Sequence, residues 1–121
     1  MKYTIISIND AREENKNSIR SVFGSDELSI KAFNGNNPDD IELFKKIYPD
    51  FDLSRYLENP FFYVRNNRRN GEIGCWMSHF HVWNYMVNNA IPNMMVFEDD
   101  CYVDQGTKQL TASILAPNSD K

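Results

Sequence analysis

Three consecutive carboxylates, Glu98-Asp99-Asp100, follow directly on the apolar run Met94-Met95-Val96-Phe97. Adjacent carboxylates repel, so a folded chain that gathers them offsets the repulsion with a cation, a basic partner or solvent. Their hard oxygen atoms favour Mg²⁺, Mn²⁺ or Ca²⁺ over Zn²⁺, and one or two suffice where substrate phosphates complete the shell. A bare triplet is more often a helix cap or a solvated turn, so its surroundings decide. Arg65, Arg68 and Arg69 form the one basic cluster. Guanidinium groups suit diphosphate through bidentate contacts, with solvated surface as the stronger alternative. Of the two histidines, His79 lies between two apolar stripes of a helix, the ordinary setting of a hydrogen-bonded core residue, and His81 is expected at the surface. Glu72 is expected at a helix start, where a carboxylate complements the macrodipole. Cys75 and Cys101 form neither a CxxC pair nor a zinc array and read as buried free thiols in a reducing cytosol.

These groups need elements to position them. Residues 3–8 are β-branched and aromatic and end in Asn9-Asp10, which favours a turn: a first strand. Ile19, Val22 and Phe23 then recur at helical spacing, and Gly24 supplies a C-cap. Leu28, Ile30 and Ala32 alternate with Ser29, Lys31 and Phe33, which predicts a second strand broken at Asn34-Gly35-Asn36-Asn37-Pro38. Asp39-Asp40 can cap a helix carrying Ile41, Phe44, Ile47 and Tyr48, closed by Pro49. Residues 50–70 read as an irregular connection. Gly71 precedes the clearest helix, with Ile73, Trp76, Met77, Phe80, Trp83 and Val87 on one face and Cys75, Val82 and Met86 opposite, so burial on two sides is expected. Residues 94–97 form a strand, residues 107–115 a last helix, and residues 116–121 a frayed end. Strands alternating with helices predict an α/β layer structure with a largely parallel sheet. Ligands of such sheets bind beyond the carboxyl ends of strands, where the triplet falls.

Composition narrows the function classes. The 121 residues are one domain's worth of chain, with 41% hydrophobic positions, and thirteen Lys plus Arg against seventeen Asp plus Glu leave a net charge of −4. That balance argues against a dedicated nucleic-acid binder. No stretch approaches the roughly 20 apolar residues of a membrane helix, and the N-terminus turns polar before a signal-peptide core can develop.

The run Gly71-Glu72-Ile73-Gly74-Cys75-Trp76-Met77-Ser78-His79-Phe80-His81-Val82-Trp83, followed shortly by Val96-Phe97-Glu98-Asp99-Asp100, resembles glycosyltransferase family 25, which includes bacterial lipooligosaccharide galactosyltransferases and collagen galactosyltransferase domains. The family pattern is approximately Gly-Glu-Ile-Gly-Cys-x-x-Ser-His-x-x-x-Trp, then an apolar strand ending in Glu-Asp-Asp. Ile5-Ile6-Ser7-Ile8-Asn9 with Arg12 is similar to the family's first strand and turn. Trp76-Met77 departs from the smaller residues usual between Cys and Ser, and Asp10 stands where leucine is common.

The resemblance covers most of residues 3–104. It implies a Rossmann-like GT-A fold and a metal-dependent transferase moving a sugar, with galactose expected, from a UDP-sugar to a saccharide acceptor in lipooligosaccharide or surface-glycan synthesis. The triplet would serve as the DxD motif. Asp100, with Glu98, would hold Mn²⁺ or Mg²⁺ across the diphosphate, Glu98 by ordering metal-bound water or the local backbone. Asp99 would face the ribose or sugar. Asn9, Asp10, Arg12, Glu72 and His79 would complete the donor side. No catalytic base is assigned; Asp104 is the available carboxylate. Residues 1–121 are expected to be a single, truncated donor-binding half, cytoplasmic or peripheral to the inner membrane, with a homo-oligomer as a further expectation. The rival readings are a non-catalytic domain that binds a nucleotide sugar or a protein partner, and a cation-binding module unrelated to sugars.

Overall fold

Tyr3–Ile6 (β1) and Met95–Glu98 (β2) pair in parallel, from Tyr3 opposite Met95 to Ile6 opposite Glu98. The computed structural model describes residues 1–9, 11–53 and 66–115, the last stretch with side chains from 70 to 114. Four helices join the two strands among these residues: Glu13–Phe23 (α1), Pro38–Ile47 (α2), Asn66–Asn88 (α3) and Gln105–Leu115 (α4). The chain is thus α/β with a parallel two-stranded sheet. It divides into two units, Met1–Ser29 with Asn93–Lys121, and Ile30–Pro92.

The first unit is organised around β1, whose β-branched and aromatic residues suit a buried strand. Tyr3, Ile5, Ile19 and Phe97 form its core, with Phe23, Met95, Cys101 and Val103 packed against them. The buried Tyr3 hydroxyl donates to the carbonyl of Gly24 at 2.6 Å. That glycine ends α1 with φ of 89°, the left-handed region that only glycine enters without strain. The strand predicted after α1 shrinks to one parallel bridge between Tyr3 and Glu27, flanked by a 2.7 Å bond from the Leu28 amide to the Tyr3 carbonyl. Beyond it the Thr4 hydroxyl takes the Leu28 carbonyl at 2.7 Å, and the chain passes into the second unit. β2 lies one residue later than expected, so Glu98 closes the strand and the turn proper is Asp99-Asp100.

In the second unit Phe33, Phe44, Leu53, Ile73 and Met77 make the core, with Ile41, Tyr48, Phe51, Trp76 and Phe80 around it. The cap of α2 is Asn37, not Asp39-Asp40. Its side chain accepts from the Asp39 amide at 2.9 Å, and Pro38 fills the first helical position, where no N–H is needed. Asp40 instead accepts from the Asn34 amide at 2.8 Å and pairs with Lys31 at 3.1 Å. α3 begins at Asn66, ahead of the start expected just after Gly71, which places Glu72 in its second turn and not at its start. Residues 54–65, including Arg65, lie outside the described residues, as do the side chains of Arg68 and Arg69.

The buried face of α3 is Ile73, Gly74, Met77, Ser78 and Val82, whereas Trp83 is 52% and Val87 79% exposed. The expected apolar stripe therefore fails at its carboxyl end. Close backbone approach sets the helix's rotation: a Cβ on Gly74 would stand 2.9 Å from the Phe33 carbonyl oxygen, and one on Gly35 would collide with the backbone of Asn70. The Ser78 hydroxyl accepts from the Phe33 amide at 2.8 Å and lies 2.8 Å from the Gly74 carbonyl. Segment 33–35 is thus hydrogen-bonded to a helix side chain, not to a strand, the physical reason its alternating pattern does not end in a sheet.

Candidate functional site

The acidic turn sits at the carboxyl end of β2, and almost every group in it except one is tied down. The Asp99 amide donates to the Ile6 carbonyl at 3.1 Å, which extends the parallel ladder past Glu98, and the Cys101 amide donates to the Glu98 carbonyl at 3.0 Å, closing the turn. The Ser7 hydroxyl lies 2.8 Å from both Asp99 Oδ2 and the Asn9 carbonyl, sharing its proton between these two acceptors. Asp99 Oδ1 stands 3.6 Å from the Arg12 Nε. From α1 the Asn15 Nδ2 donates to the carbonyls of Asp99 and Cys101, each at 2.8 Å.

Asp100 is the remaining member. Its carboxylate is exposed, and among the described residues no hydrogen bond or ion pair engages it. A carboxylate free of protein partners, beside a second one already satisfied, has the donor chemistry of a hard divalent cation site completed by substrate oxygens. Glu98 is exposed at the strand's last position.

On the β1 side, the Asn9 side chain accepts from the Ala11 amide at 2.8 Å, an Asx turn that starts the approach to α1. Lys16, only 7% exposed, pairs with Glu13 at 2.9 Å and reaches the Asn9 carbonyl at 3.3 Å. Asn9, Arg12 and Asp99 are therefore joined in one network, through Ser7. Asp10 lies outside the described residues. Asp104 is a helix cap: its Oδ1 accepts from the Thr107 amide at 2.8 Å, and the Thr107 hydroxyl lies 3.3 Å from the Asp104 amide as reciprocal acceptor. The Thr107 amide holds the Asp104 carboxyl below the usual carboxylate range, which suits a cap and weakens a proton acceptor.

Glu72 and His79 belong to the second unit. Glu72 is exposed on α3, and His79 is half-buried with its ring 6.3 Å from that of Trp83. His81, expected at the surface, is instead packed. Its Nδ1 lies 2.6 Å from the Tyr48 hydroxyl and its ring meets Phe33 edge-on at 5.2 Å. Trp76 stacks on Phe80 at 5.1 Å, in the core as expected. Neither cysteine forms a disulfide among the described residues, and both are half-buried.

Ser7, Asn15 and Lys16 escaped the sequence reading because each is polar, short-range patternless and defined only by partners far along the chain. For Gly74 and Ser78 a signal existed: both are fixed positions of the run 71–83, and a glycine and a serine one helical turn apart are what a close backbone approach requires.

The model of glycosyltransferase family 25, described as an LPS biosynthesis protein family, matches residues 1–121. A Haemophilus influenzae protein named "Putative glycosyltransferase" is 28% identical over 107 residues, which cover 88% of this chain and 34% of that protein. A Drosophila melanogaster "Glycosyltransferase 25 family member" is 29% identical over 107 residues, covering 86% of this chain and 17% of its own length. A Bos taurus protein named "Probable inactive glycosyltransferase 25 family member 3" is 37% identical over 38 residues, 31% of this chain and 6% of that protein. The chain thus spans about a third or less of the relatives it matches. No solved structure matches it.

Proposed function

Because this chain belongs to glycosyltransferase family 25, we propose that it forms the donor-binding part of a GT-A type transferase acting on a UDP-sugar. The observation that carries this reading is Asp100, an exposed carboxylate with no protein partner among the described residues, at the carboxyl end of a parallel strand. Asp100, with Glu98, is the proposed ligand pair for Mn²⁺ or Mg²⁺; a bound cation supplies charge compensation for the leaving diphosphate. Arg12 offers a guanidinium on the same network as Asp99 and is the proposed phosphate or ribose contact. Asn9 shapes the turn that would face the nucleoside. For Glu72 and His79 the support is the motif resemblance alone, and for Asp10, which departs from the family's usual leucine, it is its place in the sequence next to Asn9 after the first strand.

Galactose is the proposed sugar and a saccharide hydroxyl of a surface glycan the proposed acceptor, attacking with inversion at the anomeric carbon. Among the described residues no helix is long and apolar enough to cross a membrane. A reducing compartment is part of this reading, in keeping with two cysteines that form no disulfide among the described residues. A second reading, a domain that binds a nucleotide sugar without turnover, is favoured by the match to a relative named as inactive and by the use of Asp104 as a cap.

The test is thermal unfolding with UDP, with Mn²⁺, with both, and with both plus chelator. Ligand at about a hundred times its Kd stabilises the native state by roughly 2.7 kcal/mol, a rise of several degrees in a small domain. A shift requiring UDP and Mn²⁺ together, lost in Asp100→Asn, is the expected result. The absence of any shift would overturn the donor-site reading. UDP-sugar hydrolysis without acceptor separates the enzyme from the non-catalytic domain.

A further inference from the structure

We propose that Asn15 is a positioning residue that clamps the acidic turn and so aims Asp100, an inference that rests on the reading of Asp100 as a cation ligand. Asp100 is bracketed by two carbonyls, those of Asp99 and Cys101, and the single Nδ2 of Asn15 lies 2.8 Å from each. Both amide hydrogens are therefore spent on the turn, one on the peptide that precedes Asp100 and one on the peptide that follows Cys101, so both ends of the segment that carries the Asp100 side chain are held by one atom. Asn15 is itself held: it is the third residue of α1, whose Ile19 is fully buried in the first unit's core.

The turn's other bonds do not replace this clamp. The Asp99 and Cys101 amides fix the start and closure of the turn on the Ile6 and Glu98 carbonyls, and Ser7 holds the Asp99 carboxylate. None of them holds the carbonyl of Asp99 or that of Cys101. Metal–oxygen distances tolerate about 0.2 Å, so a rotation of the peptide between Asp99 and Asp100, or a shift of the segment at Cys101, moves the carboxylate out of range. The chemistry of residue 15 is equally constrained. Aspartate would set its oxygens against two carbonyl oxygens, glutamine adds a methylene, and leucine keeps the shape without donors.

The experiment uses the full chain and Mn²⁺ alone as the probe, titrated by its paramagnetic effect on water protons, with amide exchange at Cys101 measured in parallel. Asn15→Leu is compared with Ile19→Val, which loosens the same helix elsewhere. Expected is a Kd for Mn²⁺ raised about ten- to a hundredfold in Asn15→Leu, the usual effect of losing an outer-shell partner, with Ile19→Val within about twofold of the parent. Exchange at Cys101 accelerates in Asn15→Leu only. If Asn15→Leu does not fold, Asn15→Ser, acceptable in a first helical turn, carries the comparison. Unchanged Mn²⁺ affinity and unchanged Cys101 exchange would overturn the clamp while Asp100→Asn still abolished binding. Mn²⁺ binding indifferent to Asp100→Asn would overturn the cation reading, and Cys101 exchange would then decide the clamp by itself.

Discussion

At the scale of single residues, chemistry and architecture divide between neighbours in sequence. Asp99 and Asp100 are adjacent, yet one is spent on Ser7 and Arg12 and the other is exposed without a protein partner among the described residues. His79 and His81 divide similarly, His81 being drawn into the packing of the second unit by Tyr48 and Phe33. Burial, and then Lys31, push the His81 imidazole below its ordinary value. Neutral Nδ1 can accept from the Tyr48 hydroxyl; the protonated ring cannot. A depressed folded-state value means that the unfolded chain binds more protons on acidification. This contribution to stability is therefore full above about pH 6.5, the unfolded value, and is lost as pH falls through the lower folded one. The urea midpoint is expected to drop between pH 7.5 and 5.5, and His81→Gln to flatten that drop. An equal slope in the variant would assign the titration elsewhere.

At the scale of elements, α3 carries the strongest motif and reveals what half of it is for. Gly74 and Ser78 dock the helix on segment 33–35, which leaves the motif's exposed Glu72 and half-buried His79 as its candidate chemistry. Gly74→Ala is expected to cost about 1–3 kcal/mol by overpacking against the Phe33 carbonyl and Gly35 backbone. Ser78→Ala should cost about 1–3 kcal/mol by orphaning the buried Phe33 amide. Denaturant midpoints read by tryptophan fluorescence check both, since Trp76 and Trp83 lie on this helix. The helix's end offers the opposite sign. The Ile91 amide bonds the Met86 carbonyl at 2.9 Å, and Ala90 takes φ of 54° in that turn. Ala90→Gly relieves a left-handed alanine and should raise stability by about 1 kcal/mol, whereas a loss would contradict strain at this position. The pattern of apolar residues located α3 but not its rotation. Periodicity reports that a face is apolar, whereas a glycine contact decides which face is pressed closest.

At the scale of the whole molecule, two cores coexist, one around Tyr3 and Phe97, the other around Phe44 and Met77. The first is discontinuous in sequence, closed by β1 and β2 from opposite ends of the chain. Phe97→Ala is expected to cost about 3–5 kcal/mol, seen as an earlier unfolding transition by circular dichroism. Tryptophan fluorescence, which reports the second unit alone, should unfold later; coincident transitions would show one cooperative system instead. The sequence by itself determined the α/β character, the existence of five of the six described elements near their observed bounds, and the family, because β-branched runs, helical periodicity, glycine caps and paired motifs are local signals. The tertiary structure alone decided that the segment after α1 leaves the sheet for a helix, that α3 starts six residues early, that His81 is packed and that Asp99 is spent while Asp100 is not. All but the helix start depend on a partner tens of residues away, and hydrogen bonds are assigned by proximity in space, about which spacing along the chain carries no information.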